Sequence, residues 1–155
     1  MAWQIYADQY STAEMSDASK SALITFDKSE IIIATRVWIL IYNNPPFTSL
    51  NMKIYSNDGG FAKKLIATST NVQLKADIHT LDNAIKEIWF DFNKVNVREG
   101  DSYHFVINGT GYTGSTSSHI AWKKSFPDPV YPWGVVTLPS LGGASYDIYC
   151  IGADY

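Results

Sequence analysis

Apolar residues recur at every second position through most of the chain. Leu50, Met52 and Ile54 alternate with Asn51, Lys53 and Tyr55. Ile88, Phe90 and Phe92 alternate with Trp89, Asp91 and Asn93, and Tyr103, Phe105 and Ile107 with Ser102, His104 and Asn108. Near the end, Tyr146, Ile148 and Cys150 alternate with Asp147, Tyr149 and Ile151. Side chains of a strand point to opposite faces in turn, so each set marks a strand with one apolar row. Turn signals punctuate the sets. Asn57-Asp58-Gly59-Gly60 tolerates the positive φ of a tight turn, Arg98-Glu99-Gly100-Asp101 forms another, and Asn43-Asn44-Pro45-Pro46 stops the strand before it. About eight or nine strands are expected, from runs near 2–10, 21–27, 31–42, 49–56, 64–69, 72–76, 85–93, 102–108, 118–123 and 145–152. Helix signals are confined to 12–20 and 81–87, and the second runs into strand-like sequence at Ile88. Many short strands without intervening helices predict an all-β sandwich or barrel. Neither a repeat nor a linker divides residues 1–155, so a single domain is expected.

One strand departs from simple alternation. In 36–42, Val37, Ile39 and Ile41 form one row, and the opposite row is Trp38, Leu40 and Tyr42. A strand apolar on both faces is covered twice by its own chain or meets another chain. Trp38, Leu40 and Tyr42 are therefore candidate interface residues, with Trp89 and Val106 extending the patch.

Composition sharpens this picture. Apolar residues make up 46% of the chain and charged residues 17%. That charged share is below the roughly 25% of ordinary soluble domains and excludes a disordered chain. A chain of 155 residues is long enough to hide about 70% of its unfolded surface. The net charge is −3, and Lys63-Lys64 and Lys123-Lys124 are isolated pairs, so no basic footprint for nucleic acid exists. Cys150 is the single cysteine and is expected to be a small buried hydrophobe at the end of a strand. The first residues lack a basic segment followed by an apolar one, and no run of 18 apolar residues occurs. Neither a signal peptide nor membrane insertion is expected, which implies folding in a cytoplasm.

His79, His104 and His119 lack metal-site spacing, and each is expected to be satisfied locally or solvent-exposed. No G-x-S-x-G, phosphate-binding loop or dinucleotide fingerprint occurs. Asp91, Asp101, Asp128 and Asp147 lie on a polar face or in loops, without the apolar setting of a catalytic acid. Asp8, Asp17, Asp27 and Asp154 reach one calcium ion only by tertiary approach. The expectation is a non-enzymatic protein with no cofactor and no metal. Exposed aromatic residues gather in the loop-rich last third: Tyr112, Trp122, Phe126, Tyr131 and Trp133. Pro127, Pro129 and Pro132 stiffen that loop. It is expected either to plug one end of the sandwich or to bind a ligand, Trp122 being closest to core.

From residue 36 onward the order of signals resembles a diffuse group of jelly-roll domains in phage virion proteins and bacterial surface proteins. The likeness is carried by Asn51-Met52-Lys53-Ile54-Tyr55-Ser56-Asn57-Asp58-Gly59-Gly60, then Lys64-Leu65-Ile66-Ala67. Trp89-Phe90-Asp91-Phe92, Val97-Arg98-Glu99-Gly100-Asp101-Ser102-Tyr103 and a last apolar strand complete it. Lys63-Lys64 stands where that group usually has Pro-Gly. The resemblance implies an antiparallel two-sheet, jelly-roll-like sandwich. It also implies a structural module of a virion or surface: a decoration, tail or fibre component, or an adhesin tip. Its partners would be other virion or surface proteins, or a second copy of itself. The alternatives are a carbohydrate-binding module that meets a host glycan with its aromatic loop and, less favoured, a glycoside hydrolase or lyase. The implied location is the virion, or a cell surface as part of a longer protein.

Overall fold

The computed structural model describes residues 2–7, 19–26, 29–59, 61–79, 85–115, 117–122, 130–131, 134–135 and 148–154. The strands are β1 (Ala2–Ala7), β2 (Ser19–Thr25), β3 (Glu30–Tyr42), β4 (Ser49–Asp58), β5 (Phe61–Thr68) and β6 (Gln73–Leu74). After the short helix α1 (Lys75–Ile78) come β7 (Ile85–Val97), β8 (Ser102–Thr110), β9 (His119–Trp122), β10 (Val130–Tyr131), β11 (Gly134–Val135) and β12 (Ile148–Asp154).

The winding starts at the tightest turn. Asp58 pairs with Phe61 across Gly59-Gly60, and Gly59 sits at φ +60°, a conformation that glycine enters without a Cβ clash. From this tip the chain runs back on itself as an antiparallel ribbon: β4 on β5, β3 on β7, β2 on β8, β1 on β12. Successive pairs of the ribbon fall in opposite sheets. One sheet has the order β1-β12-β3-β7, with β9 beside β3, and the other β2-β8-β4-β5, with β6 beside β4. This is jelly-roll winding, and it makes the domain an antiparallel two-sheet sandwich.

The core lies between the sheets and is built from the expected rows. Val37, Ile39, Ile41, Ile88, Phe90 and Phe92 on one side, and Leu50, Met52, Ile54, Tyr103, Phe105 and Ile107 on the other, are all buried. Full burial of each aliphatic or aromatic side chain contributes about 1.5–3 kcal/mol. Phe26 extends the core beyond β2 and meets Tyr103 edge-on at 5.7 Å. Thr35 stands in the inner row of β3, and its hydroxyl donates to Met52 Sδ across the sheets at 3.1 Å.

Three segments differ from expectation. The strand expected over 72–76 is cut to two residues, and Lys75 opens α1 instead. There the chain must leave the edge of β4 and cross to the other sheet, and α1 turns it while burying Ile78. β7 continues to Val97, past the expected end at 93, because an irregularity absorbs the extra length: Lys94 takes φ +42° and the register opposite slips between Ile32 and Ala34. In β12, Tyr149 and Ile151 stand opposite Val37 and Thr35, whereas Cys150 stands opposite Arg36. The inner-row positions thus belong to Tyr149 and Ile151, and Cys150 shares the register position of the outer row. Of the two helix signals, 12–18 and 81–84 lie outside the described residues; Ser19 and Lys20 begin β2, and Ile85 begins β7.

Candidate functional site

The ribbon brings three connections to one end of the sandwich: β2 to β3, β4 to β5, and β7 to β8. The last is a four-residue turn in which the Asp101 N–H donates to Arg98 O at 3.1 Å. Gly100 sits at φ +84°, which a type II turn requires of its third residue. The turn is pinned to its neighbours. Gly100 N–H donates to Phe26 O at 2.9 Å, and Phe26 N–H to Asp101 O at 3.1 Å. Glu99 N–H donates to Ser29 Oγ at 3.1 Å, and Arg98 N–H to the Tyr103 hydroxyl at 3.2 Å. The hydroxyls of Thr25 and Ser102 share a hydrogen bond of 2.6 Å.

Between this turn and the β4–β5 hairpin lies an open cleft of about 530 Å³. Ser56, Asn57, Arg98, Asp101, Ser102 and Tyr103 line it, and Ile66 supplies an apolar side. Ser56 Oγ accepts the Lys64 N–H at 3.0 Å, which fixes the hairpin wall. Behind Asn57, its Oδ1 meets His104 Nε2 at 2.9 Å. Burial of His104 lowers its pKa, because the charged ring is poorly solvated there.

A second feature lies along one sheet edge. β5 and β6 follow the same side of β4. Phe61 (78% exposed), Leu65 and Ile66 on β5, with Val72 and Leu74 on and before β6, are the large apolar side chains exposed among the described residues. Lys63 and Lys64 stand within this strip, Lys63 paired with Asp58 at 3.2 Å.

The residues singled out by sequence fall in several places. Trp38 stands opposite Glu87, and Leu40 opposite both Ile85 and Ala121. Tyr42 is half-buried, its ring 5.3 Å from that of His119. Trp89 is also half-buried. Its ring lies 3.8 Å from the Arg36 guanidinium carbon, and its Nε1–H donates to Glu87 Oε1 at 3.1 Å. Arg36 Nε approaches the same Glu87 oxygen at 3.1 Å. The outer row therefore carries a buried arginine held between a carboxylate and an indole. Of the aromatic set, Tyr112 is buried, and its hydroxyl accepts the Ile120 N–H at 3.0 Å. Its ring belongs to the buried core cluster between the sheets. Trp122 ends β9 opposite Ile39, and Tyr131 pairs with Gly134. Phe126 and Trp133 lie outside the described residues. His119 is satisfied by Ser115 O at 2.9 Å. No three His, Cys, Asp or Glu side chains converge on a metal position among the described residues.

Neither the cleft nor the strip was singled out from sequence. The cleft joins residues up to 47 positions apart, as from Ser56 to Tyr103. The strip had a signal in Phe61, placed directly after a Gly-Gly turn where an apolar ring has no strand partner beyond it.

No family model matches the chain, and no curated protein matches it. Among solved structures it is similar to a CocE/NonD family hydrolase from Staphylococcus aureus, at 9% identity and a TM-score of 0.43, over 99% of this chain and 33% of that one. It is also similar to an aminopeptidase from a marine sediment Thaumarchaeota archaeon, at 6% identity and a TM-score of 0.43, over 87% of this chain and 26% of that one. The chain thus spans a third or less of the length of these proteins, and no functional reading rests on them.

Proposed function

We propose that the domain is a non-enzymatic module of a virion or surface structure that works by protein–protein assembly along its β5–β6 edge. The observation that carries this reading is the gathering of Phe61, Leu65, Ile66, Val72 and Leu74 on that single edge. Single apolar residues on a surface are ordinary, whereas several large ones sharing one sheet edge make that edge a candidate contact. Two lysines and two register shifts in the β4–β5 pairing blunt the strand itself against edge-to-edge addition. The partner is therefore met by side chains rather than by a new strand. Lys63 and Lys64 favour a partner surface whose apolar centre has an acidic rim. The non-enzymatic part of the reading is supported by how two histidines and one arginine are used. His104, His119 and Arg36 are each engaged in buried or half-buried contacts that hold strands and turns.

The test is association measured by light scattering, and by co-purification with assembled particles or surface fractions. Wild-type protein is expected to form a defined oligomer or to enter the assembly. Phe61→Glu and Leu65→Glu are expected to weaken that association ten-fold or more, about 1.4 kcal/mol or above, while melting like wild type. A wild-type protein that stays monomeric and joins no assembly overturns the proposal, as does assembly unchanged in both variants.

A further inference from the structure

We infer that the cleft between the β7–β8 turn and the β4–β5 hairpin binds an uncharged, polyhydroxylated ligand, the chemical class of sugars. Its volume of about 530 Å³ falls within the roughly 300–1,000 Å³ of small-molecule sites. The walls are formed in advance. Gly100, Phe26 and Asp101 exchange backbone hydrogen bonds, and Glu99 is tied to Ser29, so little ordering remains for the moment of binding.

The lining selects the ligand. Arg98 and Asp101 sit at the first and last positions of one turn, both exposed, and among the described residues neither side chain is in an ion pair. An anion drawn to Arg98 meets the carboxylate of Asp101, and a cation drawn to Asp101 meets the guanidinium. An apolar ligand would strip water from the exposed Arg98 guanidinium and Asp101 carboxylate and return nothing to them. Adjacent hydroxyls on one ligand satisfy all of these groups. They donate to the two oxygens of the carboxylate and accept from the guanidinium fork. The Tyr103 and Ser56 oxygens each accept one backbone N–H, which leaves both hydroxyl protons to be donated. Ile66 offers an apolar side for the C–H face of a ring. The cleft shares only this residue with the β5–β6 strip, so the two surfaces are tested by different substitutions.

The test is an amide-resolved NMR titration of the whole chain with glucose, galactose, mannose and N-acetylglucosamine. Sodium acetate and glycine betaine serve as anionic and zwitterionic probes. At least one sugar is expected to give saturable shifts confined to the amides of 56–57 and 98–103. Arg98→Ala and Asp101→Asn are expected to weaken that binding at least ten-fold while leaving the remaining amide spectrum in place. Failure of every sugar to move those amides overturns the inference. So does a response to acetate or betaine in place of sugars, or binding by both variants at wild-type strength.

Discussion

His104 lies on the outer row of β8, opposite Tyr55, yet its ring is buried and spans to Asn57 at 2.9 Å. Burial holds its folded pKa below the value of 6.5 that it has in the unfolded chain. As pH falls from 6.5 toward the lower folded value, the unfolded chain therefore takes up a proton that the folded ring refuses. Above that window the ring is neutral in both states and contributes no pH dependence. Thermal melts should show a melting temperature that drops as pH is lowered through the window. His104→Gln, which keeps a donor for Asn57, should flatten that drop, and an unchanged slope would assign it to another group. Tyr112 illustrates the limit of reading single residues. Between Gly111 and Thr113, in a stretch of Gly, Thr and Ser, it reads as an exposed loop aromatic. The fold nevertheless buries it, because the β8–β9 connection folds back and offers the Ile120 N–H to its hydroxyl.

At the scale of elements, the open edge of β7 is closed by a strap of side chains. Asn71 Nδ2 and Gln73 Nε2 both donate to Trp89 O, at 3.1 and 2.6 Å. Asn71 Oδ1 accepts the Asp91 N–H at 2.7 Å, and Thr70 N–H donates to Asp91 O at 2.7 Å. Two amide side chains thus do the work of a neighbouring strand. Asn71→Ala should destabilise the domain by about 0.5–1.5 kcal/mol in urea titrations, since it removes the acceptor of the exposed Asp91 N–H. Asn71→Asp keeps the acceptor and should cost less; equal losses would deny the bond to Asp91 its role. The alternating rows of β4, β7 and β8 were legible because a period of two survives any loop arrangement. The strap was not, since the run 72–76 reads as another strand. Only the need to cross between sheets turns Lys75 into the first residue of a helix.

At the scale of the molecule, the ribbon makes almost every strand pair distant in sequence. β4 and β5 are joined by a two-residue turn, but β3 must find β7, β2 must find β8, and Ala2 must find Ala153. Loop closure of this kind is slow, and stopped-flow refolding should take milliseconds to seconds, on the order of other strand-dominated sandwiches. Sub-millisecond refolding would contradict the winding described above. The same winding hid the cleft from sequence: Ser56, Ile66 and Arg98 acquire a common neighbourhood only once three connections reach the same end.

The pairing of β1 with β12 has a further consequence. Because Ala2 faces Ala153, the path into the fold and the path out of it lie one inter-strand spacing apart, roughly 5 Å. A domain of that geometry is a cassette. It can be grafted into a surface loop of a host protein whose two ends are already close, or cut open at another loop and rejoined at its old ends, with little rearrangement of either partner.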